Sequence, residues 1–426
     1  MGIGMPCGYK MAREAEGYFW YLCALLTRKQ PKKARSMSTT KKWLLMLLVG
    51  IAPTLVAQES GQNIQVIGRV LLDGALYQQN EASRVQAGAM NDGVGTRDIR
   101  LGAKAAFDQW EMKAEVGLNN NILALKDVYL LYTFSENNSL RVGNALVPFG
   151  LQSAYGTLNK DYMEDATADV YEPLRRIGIT HTYYTEPLWV QYGVFTDAVV
   201  LKKTTAESGP LGYMAGGRLV WRPVLKDGLS VHGGISGLYV KPESIGDRSG
   251  NQIAYRQSHL TAVDNRTAVS LYLVDALHET KGTAEALLLY KNIKLASQFY
   301  YSHVWRREGR HYNTHGLYVT GSAQLLNLSN YRYNPGKSCV ARPDDNALEL
   351  TLGYGYLNLW DKKWRKESFT PGMMHAGLMQ DLSVGLNYFW NKHVTIRANF
   401  HHVFINDANT DTRRVNVLQG RLQYSF

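Results

Sequence analysis

Cysteine is almost absent from this chain: three occur in 426 residues, and only Cys339 lies beyond residue 58. One thiol excludes internal disulfides as a source of stability. Long apolar runs are missing too beyond residue 58, so nothing there reaches the roughly 20 residues that a membrane helix needs. Heptads and low-complexity tracts are lacking. No G-x-S-x-G elbow supports an α/β hydrolase. Glycine pairs such as that in GGRLVWR (216–222) lack the strand-to-helix setting of a phosphate loop, so no nucleotide cofactor is indicated.

The formal charge of +11 invites nucleic acid as a partner, but its distribution argues otherwise. Nine of the 47 basic and two of the 36 acidic residues precede residue 58, leaving 38 against 34, or +4, for the rest. The basicity belongs to a leader, and nucleic-acid binding loses its support. Residues 37–58, MSTTKKWLLMLLVGIAPTLVAQ, have the anatomy of an export signal: Lys41 and Lys42, an apolar run from Trp43 to Val56, then small Ala57. The expected organisation is a leader over 1–57, with Met37 as the true start and cleavage near Ala57, followed by one exported domain over 58–426.

What the exported part does contain is alternation, in blocks of about ten residues separated by turn residues. IRLGAKAAF places Ile99, Leu101, Ala103, Ala105 and Phe107 on one face and Arg100, Gly102 and Lys104 on the other. WEMKAEVGL repeats this with Trp110, Met112, Ala114, Val116 and Leu118 against Glu111, Lys113 and Glu115, so the two form a hairpin. Seventeen such blocks run from Ile64–Tyr77 to Asn416–Phe426. The tight turns near Gln109, Asn137, Glu186, Asn292 and Lys392 share one side of a barrel only if the weak block Thr267–Val274 is not a full strand. The expected fold is therefore all-β, a transmembrane antiparallel barrel of sixteen strands.

Alternation alone does not separate a soluble sandwich, apolar inside, from a membrane barrel, apolar outside. Twenty-seven Tyr and nine Trp favour the barrel. Tyr183-Tyr184, Trp189, Tyr300-Tyr301, Trp305 and Tyr388-Phe389-Trp390 fall near predicted strand ends, where aromatic girdles sit at headgroup level. A mean hydropathy of −0.26 fits strands that are polar on one face around a wet lumen. The final GRLQYSF alternates up to Phe426, similar to the aromatic last strand by which outer-membrane barrels engage the barrel-assembly machinery.

Strand phase predicts which charges face the pore. The basic candidates are Arg69, Arg100, Lys104, Lys113, Arg176, Arg218, Arg222, Lys294, Arg397 and Arg421; the acidic ones include Asp73, Glu111, Glu115, Asp127 and Glu349. Cations predominate modestly, and rings of Arg or Lys in a narrow channel attract anions. In VPFGL, Pro148 breaks the ladder and Gly150 permits an unusual turn, so the chain is expected to hinge there into the lumen. The inward segment, Val147–Leu174, carries Asp161, Glu164, Asp165, Asp169 and Glu172 against only Lys160.

Enzyme readings find little. His311 and His315 lie in a turn-rich stretch, and His401 and His402 point to opposite sides of a strand; no acidic or Cys cluster completes a metal set, and solvated histidines are expected.

The chain from about Arg97 resembles the phosphate-selective porin O and P family. The matching segments are DVYLLYTF (127–134), RVGNALVPFGLQ (141–152), DYMED (161–165) with RRIGIT (175–180), NALELTLGYGYLNLWD (346–361) and VGLNYFWNKHVTIRANFHHV (384–403). The resemblance implies a sixteen-stranded outer-membrane barrel, usually a homotrimer in outer-membrane lipid, that passes small anions by diffusion. LLNLSN (325–330) and ELTLGYGY (349–356) depart from the family's usual stretches, and the acidic inward segment departs from its Arg and Lys arrays. A different expectation is a barrel that only anchors surface loops for adhesion, with Val240–Arg266 and Trp360–Met374 as the displayed segments.

Overall fold

The computed structural model describes residues 63–119, 122–164, 166–196, 212–242, 251–307, 311–326, 328–361, 376–407 and 411–426. The leader, Asp165 and most of the segment from Trp360 to Met374 lie outside these residues.

Among the described residues, twenty strands follow one another. The first nine are β1 (Asn63–Gln79), β2 (Gly93–Phe107), β3 (Trp110–Asn119), β4 (Ile122–Ser135), β5 (Asn138–Leu146), β6 (Arg175–Tyr184), β7 (Leu188–Thr196), β8 (Tyr213–Lys226) and β9 (Leu229–Lys241). Next come β10 (Ile253–Ser258), β11 (Thr267–Leu273), β12 (Ala276–Tyr290), β13 (Ile293–Arg306), β14 (Tyr312–Leu326), β15 (Tyr333–Asn334) and β16 (Cys339–Val340). The last four are β17 (Ala347–Asn358), β18 (Gly377–Phe389), β19 (Val394–Asp407) and β20 (Arg413–Ser425).

Sixteen of them close into one antiparallel barrel, while β10-β11 and β15-β16 form separate two-stranded sheets. Thr267–Leu273 is thus a strand, but of an internal hairpin and not of the wall. Closure pairs β1 with β20, Arg69 opposite Ser425 and Asp73 opposite Arg421. Phe426 completes the seam: its N–H donates to the Gly68 carbonyl and its carbonyl accepts from the Gly68 N–H, both at 3.0 Å. Gly68 leaves room for the Phe426 ring, which a side chain there would strike.

Apolar side chains face outward, as at Leu101, Ile235, Leu352 and Leu422, each about half exposed or more. Adjacent aromatics split between the faces. Tyr183, Tyr301 and Trp390 point out, whereas Trp189, Tyr300 and Phe389 are buried inside, because neighbours on a strand point opposite ways.

The tight turns at Asp108-Gln109, Glu136-Asn137, Asp227-Gly228 and Lys291-Asn292 lie at one end with Asn63 and Phe426. Long connections lie at the other, which is the extracellular end by the loop-length rule. Among the described residues, three connections fold inward. The segment 147–174 between β5 and β6 crosses the middle, carrying a short helix, α2 (Gly150–Ala154), that follows α1 (Glu81–Ala87) of the β1-β2 loop. The β10-β11 hairpin enters from the extracellular side, where the Gln419 amide donates to the Leu260 carbonyl at 2.9 Å and the Tyr77 and Thr261 hydroxyls lie 2.8 Å apart. The β15-β16 hairpin enters from the turn side. Trp189 Nε1 donates to the Gly336 carbonyl at 3.0 Å, and the Arg218 guanidinium to that of Ser338 at 2.8 Å.

Candidate functional site: a loop-narrowed, cation-rich cavity

At Gly150 the backbone takes φ of +80°, a conformation glycine adopts without strain, and a Cβ there would strike the Gln298 amide. The chain turns off the wall at this point. Its N–H groups find lumen-side partners: Gly150 N donates to Ser236 Oγ at 3.0 Å and Leu151 N to Gln298 Oε1 at 3.1 Å. Pro148, just before the turn, borders the cavity described below.

The acidic character of the loop is absorbed by the wall behind it. Lys294 Nζ reaches Asp161 at 2.6 Å and Glu349 at 3.1 Å, and Thr320 donates to Asp161 at 2.8 Å. Glu164 accepts from Arg97 at 2.8 Å and from Arg421 at 2.9 Å. Burial pushes the Glu164 carboxyl up, but these two guanidinium groups outweigh it and hold it below the ordinary range. Arg397 donates to the Leu158 carbonyl at 2.5 Å and also to that of Lys160. Arg421 further holds Asp73 at 2.7 Å and the Met163 carbonyl at 2.6 Å.

Asp169 and Glu172 face the open side. Tyr300 Oη lies 2.9 Å from Asp169 Oδ1 and 2.7 Å from Glu172 Oε1, and a hydroxyl has one proton to donate. Burial raises the Asp169 carboxyl to about 6. Burial, and then the Asp169 charge, push Glu172 well above the carboxylate range.

Between the loop and the wall of β1 to β8 remains a cavity of about 980 Å³. Among the described residues, eleven Lys and Arg and six Asp and Glu border it. Of the residues expected from strand phase, Arg69, Arg100, Lys113 and Arg218 border this space. They are paired: Arg69 and Arg100 with Asp98, Lys113 with Asp127 at 2.7 Å, and Arg218 with Glu285 at 2.7 Å. Lys104 does not border the cavity and pairs with Glu111 at 2.9 Å.

The others depart from the expected position at the pore surface. Lys294, Arg397 and Arg421 are buried behind the loop they anchor. Arg222 is buried as well, donating to the Thr185, Glu186 and Pro335 carbonyls at 2.6, 2.9 and 2.5 Å. Arg176 does not border the cavity, and its guanidinium donates to the Arg175 carbonyl at 3.0 Å; Arg175 borders it instead, with Nε 2.5 Å from Asp127. The physical reason is common: inward-folded segments occupy much of the lumen, so facing inward is not the same as facing water.

Strand phase missed Arg97 and Lys126. The register shifts between Leu71 and Leu72 opposite β2, and between Ala114 and Val116 opposite β4. These bulges let both members of Arg97-Asp98 and Lys126-Asp127 border the cavity. Adjacent charges inside a strand were the available signal, since lipid tolerates neither. Arg141 also borders the cavity. Its Cζ sits 5.7 Å from the Tyr129 ring centre and it donates to the Leu146 carbonyl at 3.2 Å, while its buried Nε has no partner. Lys126 has no carboxylate within ion-pair distance among the described residues. His401, expected to be solvated, is buried with Nδ1 2.6 Å from Ser383 Oγ.

Known structures share this architecture. OmpT, an outer-membrane protein of Vibrio cholerae, superposes with a TM-score of 0.54 at 11% identity over 88% of this chain and 100% of its own. The anion-selective porin of Comamonas acidovorans gives 0.51 at 13% identity over 86% and 100%. The outer-membrane channel DcaP of Acinetobacter baumannii gives 0.52 at 12% over 87% and 99%. No curated protein sequence matches this chain. The sequence pattern of the phosphate-selective porin O and P family matches residues 76–426, and this chain, a closed wall around a loop-narrowed lumen, belongs to that family of outer-membrane channels.

Proposed function

We propose that the protein is a passive, water-filled diffusion pore with a preference for small anions, phosphate among them. The observation that carries this reading is the excess, among the described residues, of eleven cationic over six acidic residues around the cavity. The loop carboxylates Asp161 and Glu164 are spent on Lys294, Arg97 and Arg421, so they do little to cancel it. In a narrow low-dielectric passage such an excess raises the local anion concentration. Lys126 and Arg141 are the groups best placed to receive a passing anion, and a guanidinium can hold two oxygens of one phosphate.

Reversal potentials in planar bilayers under a KCl gradient test the preference. Anion preference that falls in Lys126→Gln and Arg141→Gln is expected; cation preference in the parent protein refutes it. Added phosphate is expected to reduce chloride current.

Homotrimer assembly is part of this proposal. Outward positions at the extracellular ends of β4 and β7, such as Leu123 and Val194, carry no ring, as suits a face covered by a partner copy. Removal of residues 1–57 on export and recognition of Phe426 by the assembly machinery complete the proposal. The adhesion reading loses ground because Ile253–Ser258, part of its displayed segment Val240–Arg266, belongs to a hairpin folded into the lumen.

A further inference from the structure

On the other side of the barrel, at the extracellular end, rings form a continuous outward ladder across four strands. Tyr213 of β8 lies 6.1 Å from Tyr239 of β9, which stacks at 5.4 Å on His278 of β12. His278 stacks at 4.4 Å on Trp305 of β13, and Trp305 meets His303 edge-on at 4.1 Å. The register places Tyr213 opposite Lys241 and His278 opposite Trp305, so these residues share the phase of the lipid-facing side chains Ile235 and Tyr290. Below the ladder the wall is apolar, with Phe299, Leu295 and Ile293 each nearly half exposed.

The composition of the ladder is unusual for an interfacial girdle, where Trp and Tyr suffice. Here two imidazoles sit among the rings, and Lys241, exposed beside them, has no carboxylate within ion-pair distance among the described residues. Flat ring faces match the apolar faces of sugar rings. An ammonium and imidazole N–H groups match phosphate oxygens. A glycerophospholipid offers the phosphate without the sugar; a phosphorylated disaccharide lipid offers both at the depth where the apolar band ends.

We infer that the Tyr239–His278–Trp305 ladder with Lys241 is a docking surface for a phosphorylated glycolipid of the outer leaflet. This is separate from conduction, because none of these side chains borders the cavity.

The test is native mass spectrometry of the full barrel in detergent with added purified lipid A, with dephosphorylated lipid A and with phosphatidylglycerol. Retention of lipid A over both of the others is expected. Lys241→Gln is expected to weaken it about fivefold, the worth of one basic residue at a lipid surface, and Trp305→Leu to weaken it further. Single-channel conductance should be unchanged in both variants. Equal retention of phosphatidylglycerol or of dephosphorylated lipid A, or retention unaltered in Lys241→Gln, overturns the inference. Dissociation of an oligomer in Lys241→Gln also overturns it, by assigning the ladder to contact between copies.

Discussion

Lys294 anchors the inward loop through Asp161, and removing it tests the account of the constriction. Lys294, Asp161 and Glu349 are each 2 to 3% exposed. In Lys294→Met the ammonium is lost and two carboxylates remain buried together, with Thr320, Tyr331 and Asn387 still donating to them at 2.8, 2.5 and 3.0 Å. Breaking a buried pair from one side costs about 3–5 kcal/mol. At 1.36 kcal/mol per decade that is about two to four powers of ten in the equilibrium between docked and released loop. Released, the loop no longer narrows the lumen. Single-channel recordings of Lys294→Met are expected to show larger, noisier conductance. The triple variant Lys294→Met, Asp161→Asn, Glu349→Gln removes all three charges and is expected to return most of the parental conductance. A Lys294→Met channel with parental conductance and noise refutes the reasoning.

Three further outcomes follow from the same geometry. Asp169, with its carboxyl raised to about 6, and Glu172, which burial and the Asp169 charge push well above its ordinary value, border the cavity, so they lose negative charge as pH falls. Anion preference in reversal potentials is therefore expected to rise from pH 8 to pH 5, and to become flat across that range in Asp169→Asn, Glu172→Gln. Cys339 is buried beneath the Ala154 carbonyl, and burial pushes its thiol up to about 11. Maleimide is expected to leave it unmodified at pH 7.5, as read by peptide mass. Arg222→Ala frees the Pro335 carbonyl and should speed labelling more than about tenfold, since the thiolate is the reactive form. Gly68→Val forces a side chain against the Phe426 ring, an overpacking of about 1–3 kcal/mol. It should lower the temperature at which the barrel loses its heat-resistant gel mobility.

The wall of the barrel was readable without coordinates, and the reason is local. Each of the sixteen blocks in the wall has to present one face to lipid and the other to a wet lumen, so a period of two is imposed on every strand and survives in IRLGAKAAF or WEMKAEVGL as written. Gly150, inside the VPFGL stretch where a hinge is expected, takes a φ of +80° for an equally local reason, since glycine alone takes that conformation freely. The chemistry of the lumen was not local. Whether Lys294 or Arg397 meets water or a loop depends on where residues 158–164 come to rest, more than 130 positions away in sequence. Bulges moved Arg97 and Lys126 to the cavity side against the alternation, and the acidic loop that argued against an anion pore turned its Asp161 and Glu164 into buried cations. Side-chain phase is a property of a strand, whereas the field inside a pore is a sum over charges and their partners, and only the closed, loop-filled barrel decides which partners those are.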